Sequence, residues 1–467
     1  DNTILKILHT SDWHLGQYFY GKNRLNEHQC FLFWLIDVAV KNDVDAIIVA
    51  GDIFDTGSPP SYARELYNQF VVSLEKASRK RIKLIVVAGN HDSTLMLDET
   101  KSLFTHFNAT VLTKPNHSEP KEHLVTIDDV NGELIGLICA VPFLRSRDMV
   151  NSVAGQEGKD KRHALQLSIQ AFYAKVFSEA KALCCLSGKH LPIVMTGHLT
   201  VVGAKSSESV RDIYIGTLDA LPASCFPEAD YIALGHIHQT QKITSENAIQ
   251  YCGSPICLSF DELNRSKNIL LVECNSLEAT KVNEIAVPCF QPMFSLKGNL
   301  SELEIELGEL ASKYRDLKHN NDWATVWVEV EVESQDFLND LHKRIEHLIE
   351  GSCLEILSLK RARKKTQASM TSAKTLSLNE LSPLEVFERR IAMEEWTGEP
   401  GTKERITHKF FISRIVFCKY LRGSNSDLFS AKNFLTAPVE TKRRSVSIFT
   451  FRTPCLIPST ICSTGTP

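Results

Sequence analysis

Ten side chains, gathered in five short clusters, carry most of the chemistry this chain can offer. They are Asp12 and His14; Asp52 and Asp55; Asn90, His91 and Asp92; His198; and His236 with His238. Carboxylates, an amide oxygen and imidazoles in mixture suit Mn, Fe or Zn better than an all-oxygen set would. Residues two apart on extended backbone point the same way. Asp12 and His14 are therefore expected to offer an oxygen and an imidazole to one ion, and His236 and His238 to offer two imidazoles. A carboxylate has two oxygens, and Asp52 is the natural bridge between two ions. Two ions about 3.5–4 Å apart lower the pKa of a shared water and hold both oxygens of an in-line phosphoryl displacement. Any one cluster alone is more often a turn or a satisfied polar residue, and Gly51 or Gly89 alone reads as a strand-ending glycine. The five in this order carry the metal reading.

Each cluster follows an apolar run that reads as a strand. These runs are 4–9, 45–50, 82–88, 192–196 and 231–234, with a further buried strand at 134–141. Helical spacing covers 27–41 (Phe31, Trp34, Leu35 and Val38 on one face), 62–78 after Pro59-Pro60, and 163–183. Segments 249–252 and 268–273 are expected to form a closing pair. Continuous apolar strands bounded by Gly predict an α/β fold with a sheet covered on both faces. In such folds ligands bind beyond the carboxyl ends of the strands. Pro288 and Pro292 mark a boundary near 287–291. A smaller α+β unit follows, with strands at 293–297, 324–332 and 354–359 and helices at 301–314 and 337–350. The clean alternation of 324–332 suits a half-exposed strand. The expected domains are 1–287, 288–365, a helical segment 375–420 containing helices 381–396 and 406–417, and a tail, 421–467. That tail loses periodicity, gains Ser, Thr and Pro, and is expected to be disordered.

A chain of 467 residues exceeds one ordinary core, so two or three domains are expected. A net charge of -4 excludes a global basic field. If nucleic acid is the substrate, local patches, metals or a partner must supply the attraction. Thirteen scattered cysteines without a C-x-x-C pair argue against a disulfide framework and for a reducing compartment. Residues 1–6 lack a basic region followed by an apolar one, and no apolar run nears the ~20 residues of a membrane span. A soluble, cytoplasmic protein is expected, with a non-native N-terminus because Asp1 replaces an initiator Met. Arg145 and Arg147 could touch a DNA backbone. The basic run Lys360, Arg361, Arg363, Lys364 and Lys365 reads first as a solvated linker face. Leu384, Phe387, Ile391, Phe410 and Ile415 either pack helix on helix or dock onto a partner.

The ordered clusters resemble the calcineurin-like metallophosphoesterase superfamily. Residues 8–16 (LHTSDWHLG), 50–60 (AGDIFDTGSPP), 88–93 (AGNHDS), 196–200 (TGHLT), 211–219 (RDIYIGTLD), 233–238 (ALGHIH) and 251–255 (YCGSP) narrow the match. They resemble the SbcD family, nuclease subunits of bacterial SbcC–SbcD complexes, from about residue 4 to about residue 417. The resemblance implies a two-sheet phosphoesterase core flanked by helices, a smaller α+β capping domain, and a C-terminal helical segment that holds an SbcC-type ATPase. It implies one metal on Asp12, His14, Asp52 and His238, and a second on Asp52, Asn90, His198 and His236. Manganese would be the working ion, with magnesium as an alternative. His91 would contact the scissile phosphate or protonate the leaving oxygen, and Asp92 could orient it. Archaeal and eukaryotic relatives carry a second active-site His where this chain has Asp55, a position that would face phosphate.

The implied activity is a Mn-dependent DNA nuclease acting 3′→5′ on double-stranded ends, as an endonuclease on single strands, and on hairpins or palindromes. The implied assembly is a homodimer within a heterotetramer. No G-x-x-x-x-G-K-[ST] loop is present, so ATP use would belong to the partner. A phosphomonoesterase or nucleotide pyrophosphatase would use the same ligands, but the second domain and terminal helices favour a polymer substrate. A scaffold with structural metals is a third reading. Intact His91 and Asp92 argue against it, because neither is needed as a ligand.

Overall fold

The computed structural model describes residues 4–361, except 80, 151–157, 208, 211–219, 244–248, 276–277, 316–324 and 334–340. The expected helices within 375–420, the tail 421–467 and Arg363, Lys364 and Lys365 lie outside the described residues. Among the described residues no helix is long and apolar enough to cross a membrane, and the cysteines are free thiols.

The strand Ala46–Ala50 shows why the core strands read as continuous apolar runs. All of its residues are buried. Ala46, Ile48 and Ala50 face a second sheet, while Ile47 and Val49 face helices. Both faces of a parallel strand are covered in this way, so no polar alternation survives. The structure has two such sheets, as the resemblance implies. The first runs Glu278–Ala286, Asn268–Asn275, Leu5–Thr10, Ala46–Ala50, Lys83–Val87, Ala109–Leu112, and its last four strands are parallel. The second runs Gln241–Lys242, Ile249–Tyr251, Tyr231–Gly235, Ile193–His198, Leu134–Cys139, Leu124–Asp128, and its middle four are parallel.

Two expectations change here. Segments 249–252 and 268–273 do not pair with each other, because they belong to different sheets; Asn268–Asn275 lies antiparallel to Leu5–Thr10. Gly197 and His198 do not follow their strand but are its last two residues.

The layers are helix, sheet, sheet, helix. Leu25–Lys41, Ser61–Ser78 and Thr94–Phe104 cover the outer face of the first sheet, and Gly158–Ser187 covers that of the second. Leu5, Ile7, Ile48, Val194, Tyr231 and their neighbours fill the space between the sheets. Small residues let the sheets close at their carboxyl ends. A Cβ at Gly235 would overlap the Ala50 carbonyl oxygen, and one at Gly51 would overlap the His198 ring.

Beyond residue 292 lies a parallel three-stranded sheet of Met293–Gly298, Val326–Val332 and Leu354–Arg361. Asn299 and Glu302 cap the helix Leu300–Lys313 reciprocally. Val326–Val332 is not half-exposed as its alternation predicts; it is the central strand and almost fully buried. Val326, Val328 and Val330 lie under Leu303, Leu307 and Ile345. On the other face Trp327 stacks on Phe19 (5.6 Å between centroids). Glu329 pairs with Lys360 at 2.6 Å. Lys360 and Arg361 are therefore strand residues and not part of a linker.

Candidate metal centre

The clusters meet because parallel strands bring their carboxyl ends to one edge of each sheet, and the two edges face each other. The loop after Leu5–Thr10 lies along the loop after Ala46–Ala50. Asp12 N–H donates to the Gly51 carbonyl (2.9 Å), His14 N–H to that of Asp52 (3.1 Å) and Leu15 N–H to that of Ile53 (2.9 Å). The backbone there is not the extended chain assumed from spacing. Asp12 (φ 53), His14 (φ 48), Asp52 (φ 52) and His236 (φ 94) all have positive φ. Such conformations are uncommon outside glycine and cost about 1–3 kcal/mol each, and they persist only where packing enforces them. The packing is visible in the residue between each pair. Trp13, fully buried, packs edge-on against Phe31 (6.0 Å) and Phe70 (5.2 Å) and donates from Nε1 to Thr10 Oγ1 (2.9 Å). Ile237, also fully buried, anchors His236 and His238 on the second sheet.

Three groups of candidate ligands result: Asp12 with His14 and His238, Asp52 with His198 and His236, and His14 with Asp55 and His91. In each, the donor atoms lie within 4.8 Å of one another. The two histidines 236 and 238 thus divide between groups, as in the sets the resemblance implies. Metal bonds of about 2.1 Å meeting at right angles set donor atoms about 3 Å apart. Asn90 Oδ1 stands 2.8 Å from His198 Nε2 and 3.3 Å from His236 Nδ1. Asp52 Oδ2 stands 3.3 Å from His198 Nε2 and 3.7 Å from His14 Nε2. His14 Nε2 is buried without a hydrogen-bond partner among the described residues. These spacings and that orphaned nitrogen fit divalent cations held by this donor set.

Three of the four candidate imidazole ligands are oriented through their other nitrogen, as metal ligands usually are. His198 Nδ1–H donates to the Ala50 carbonyl (2.9 Å) and His14 Nδ1–H to Asp55 Oδ1 (3.1 Å). His238 Nδ1–H donates to Ser209 Oγ (2.6 Å), whose hydroxyl donates to Glu262 Oε1. Glu262 is fully buried and also accepts from Ser207 Oγ (2.9 Å), Leu258 N–H (3.0 Å) and Lys267 Nζ (2.5 Å). Burial alone would raise its carboxyl, but the His238 hydrogen bond and the Lys267 charge hold it well below the usual range.

In the metal-free site the buried carboxylates and imidazoles shift one another's protonation. Burial disfavours a charged His198, yet Asp52, by charge and hydrogen bond, and Asp12 raise it to about 9. Asp52 is held well below the carboxylate range against its own burial, chiefly by His198. Burial and the charge on His198 push His236 well down.

The remaining predicted residues fall differently. His91 sits in the same cavity wall as His14, their rings 4.8 Å apart. Its Nδ1–H donates to the Asp55 carbonyl (2.6 Å) and its N–H to Asp52 Oδ1 (2.9 Å). Asp92, expected to orient His91, instead directs its carboxylate at backbone: Gly89 N–H (2.7 Å), Phe54 N–H (2.9 Å) and Ile53 N–H (3.2 Å). Burial and Asp52 push its carboxyl up to about 6. Asp55, expected to face phosphate, braces His14. Arg145 Nη2 donates to the Asp92 carbonyl (2.9 Å), while Arg147 is exposed beside Asp148.

Residues 5–240 match the calcineurin-like phosphoesterase family. The SbcD subunit of the SbcCD nuclease of Escherichia coli K12 is 44% identical over 407 residues, 87% of this chain and 97% of that protein. This chain belongs to the SbcD family of calcineurin-like phosphoesterases. Further relatives in the family are the SbcD subunits of the Rhodobacter capsulatus and Bacillus subtilis SbcCD nucleases. The first is 30% identical, covering 62% of this chain and 71% of the relative. The second is 28% identical, covering 73% and 82%. Residues 289–395 match the family described as the type 5 capsule protein repressor C-terminal domain. For an SbcD-family chain, the residues that sequence reasoning missed are Ser209, Glu262 and Lys267. Glu262 stands among Leu258, Phe260 and Leu263, and no local pattern announces that its carboxylate is buried against a histidine 24 positions earlier.

Proposed function

We propose that this chain is the nuclease subunit of an SbcC–SbcD-type complex and hydrolyses DNA phosphodiester bonds at two divalent cations, Mn²⁺ by preference and Mg²⁺ as an alternative. One observation carries the reading. Asp52 Oδ2 lies between His14 Nε2 (3.7 Å) and His198 Nε2 (3.3 Å), so one oxygen serves two otherwise separate ligand groups. In this reading Asp12, His14, Asp52 and His238 hold one ion, and Asp52, Asn90, His198 and His236 hold the other. Bound there, the pair supplies an activated water and neutralises charge on the phosphate.

The chain's own residues do the rest. Asp55, Ser209 and the Ala50 carbonyl fix which imidazole nitrogen is free to ligate. His91, with Nδ1 committed to the Asp55 carbonyl, presents its other nitrogen to phosphate or leaving oxygen, and in its protonated form serves as general acid. Asp92 ties the loops of Asp52 and Asn90 together through three backbone N–H groups. Arg145, its Nη1 buried without a hydrogen-bond partner among the described residues, is the side chain placed to meet a phosphate near Asp92.

The proposed substrates are double-stranded ends (3′→5′), single strands and hairpins. The proposed partner is an SbcC-type ATPase held by 375–420, with two copies of this chain in a cytoplasmic heterotetramer. The proposed domains are 1–287, 288–365, 375–420 and a tail, 421–467. Wild type, Asp52→Ala and His91→Ala, each with Mn on linear and hairpin DNA, test the reading. Asp52→Ala should lose metal and activity together. His91→Ala should keep metal and lose about 10²–10⁴-fold in rate. Equal activity in all three ends the proposal. Faster turnover of a chromogenic phosphate monoester than of DNA makes the chain a phosphomonoesterase.

A further inference from the structure

The cavity beside the metal ligands has a feature the phosphoesterase chemistry does not use. It is about 380 Å³, lined by His14, His91, His238 and Asp55, and closed on one side by the hairpin Tyr18–Phe19/Lys22–Asn23. A strand entering here meets no Lys or Arg among the described lining residues. It does find aromatic faces: Tyr18 is 57% exposed and Tyr20 51%. This size matches a small-ligand site and not a duplex, so the strand must present an unstacked nucleotide.

The hairpin is built to keep those rings out. Phe19 is buried beneath, stacked on Trp327 and edge-on to Phe260 (5.0 Å). The Arg24 guanidinium lies 5.2 Å from the Phe19 ring and donates to Gln17 Oε1 (2.6 Å) and the Cys257 carbonyl (2.7 Å). Lys22 pairs with Glu355 of the following unit. The turn itself places Tyr20 at φ 49 and Gly21 at φ 81. Two positive φ values define the tight turn that Asn-Gly forms most easily. A bulky aromatic at the first position is strained there, and strain of this kind collects where function needs it.

We propose that this hairpin is a base-stacking platform: Tyr18, supported by Tyr20, holds the unpaired base next to the scissile phosphate. The inference rests on the nuclease reading and adds a substrate requirement, a flipped or single-stranded nucleotide at the cut. The test uses the full chain with Mn and a short single-stranded oligonucleotide. A second oligonucleotide lacks the base on either side of the favoured bond. Tyr18→Ala should lose about 5- to 100-fold in kcat/KM on the intact strand, mostly through KM, and Tyr18→Phe should lose little, since the ring does the stacking. On the abasic strand, wild type should fall to the level of Tyr18→Ala, and the variant should fall no further. Equal rates of wild type and Tyr18→Ala on the intact strand overturn the platform, as does an equal loss on both strands or a Phe variant as poor as Ala. Wild type inert on any DNA overturns the nuclease reading and the platform with it.

Discussion

Glu262→Gln should weaken binding of the ion held by Asp12, His14 and His238 by about 10–100-fold, the usual effect of removing an outer carboxylate from a metal-bound histidine. The substitution keeps the shape and an acceptor for Ser209 but removes the charge. Lys267 Nζ, on a side chain 10% exposed, is then left facing Ser254 Oγ (2.8 Å) and the His238 carbonyl (3.2 Å). Breaking one side of a buried pair costs about 3–5 kcal/mol, so metal-free stability should fall by that order. Adding Lys267→Met removes the stranded charge. Replacing both members of such a pair is often nearly neutral, so most of the stability should return. The metal defect should not, because Ser209 and His238 still lack their carboxylate. Urea unfolding of the metal-free proteins and calorimetric Mn titration separate the two effects. If the double variant regains affinity along with stability, Glu262 acts through Lys267 on the fold and the relay to His238 is wrong. Wild-type affinity in Glu262→Gln refutes it directly.

Metal binding should release a proton from His198. The metal-free imidazole, at about 9, holds its proton through neutral pH, so Mn affinity should rise about tenfold per pH unit up to there and then level. Calorimetry in two buffers of different ionisation enthalpy reads that proton, and zero release would contradict the assignment. Because the folded value exceeds the unfolded value of about 6.5, the same group stabilises the metal-free protein fully below about pH 6.5 and loses that contribution as pH rises through about 9. Trp13→Ala should cost about 3–5 kcal/mol in urea unfolding, as for a fully buried tryptophan. It should also lower Mn affinity, since Trp13 anchors the loop between two ligands; a stability loss with unchanged affinity would show that the loop holds without it.

The candidate site's residue types were legible because divalent cations suit Asp, Asn and His gathered beside strand ends, and parallel strands buried on both faces announce themselves as apolar runs. What stayed hidden depends on distant partners. Ile249–Tyr251 and Asn268–Asn275 look like neighbours, yet Asn268–Asn275 pairs with Leu5–Thr10 at the other end of the domain. Glu278–Ala286 escaped notice because this edge strand is mostly exposed and charged. Val326–Val332 alternates like a surface strand, but Trp327 and Glu329 find partners on the face expected to meet water. Spacing brought Asp12 and His14 together, as the structure does, but by another route: their left-handed backbone comes from loop pairing and from Trp13, not from a pleat. Asp92 turned inward to backbone N–H groups because the loops that bring it close also bury it, whereas Asp55 stays half-buried at the cavity wall while bracing His14.

The centre draws Asp12, Asp52 and Asn90 from one sheet and His198, His236 and His238 from the other. The group of Asp12, His14 and His238 and the group of Asp52, His198 and His236 each take donors from both sheets. The same division lets cations bound there act as a clasp across the seam, so metal should stiffen the docking of one sheet on the other.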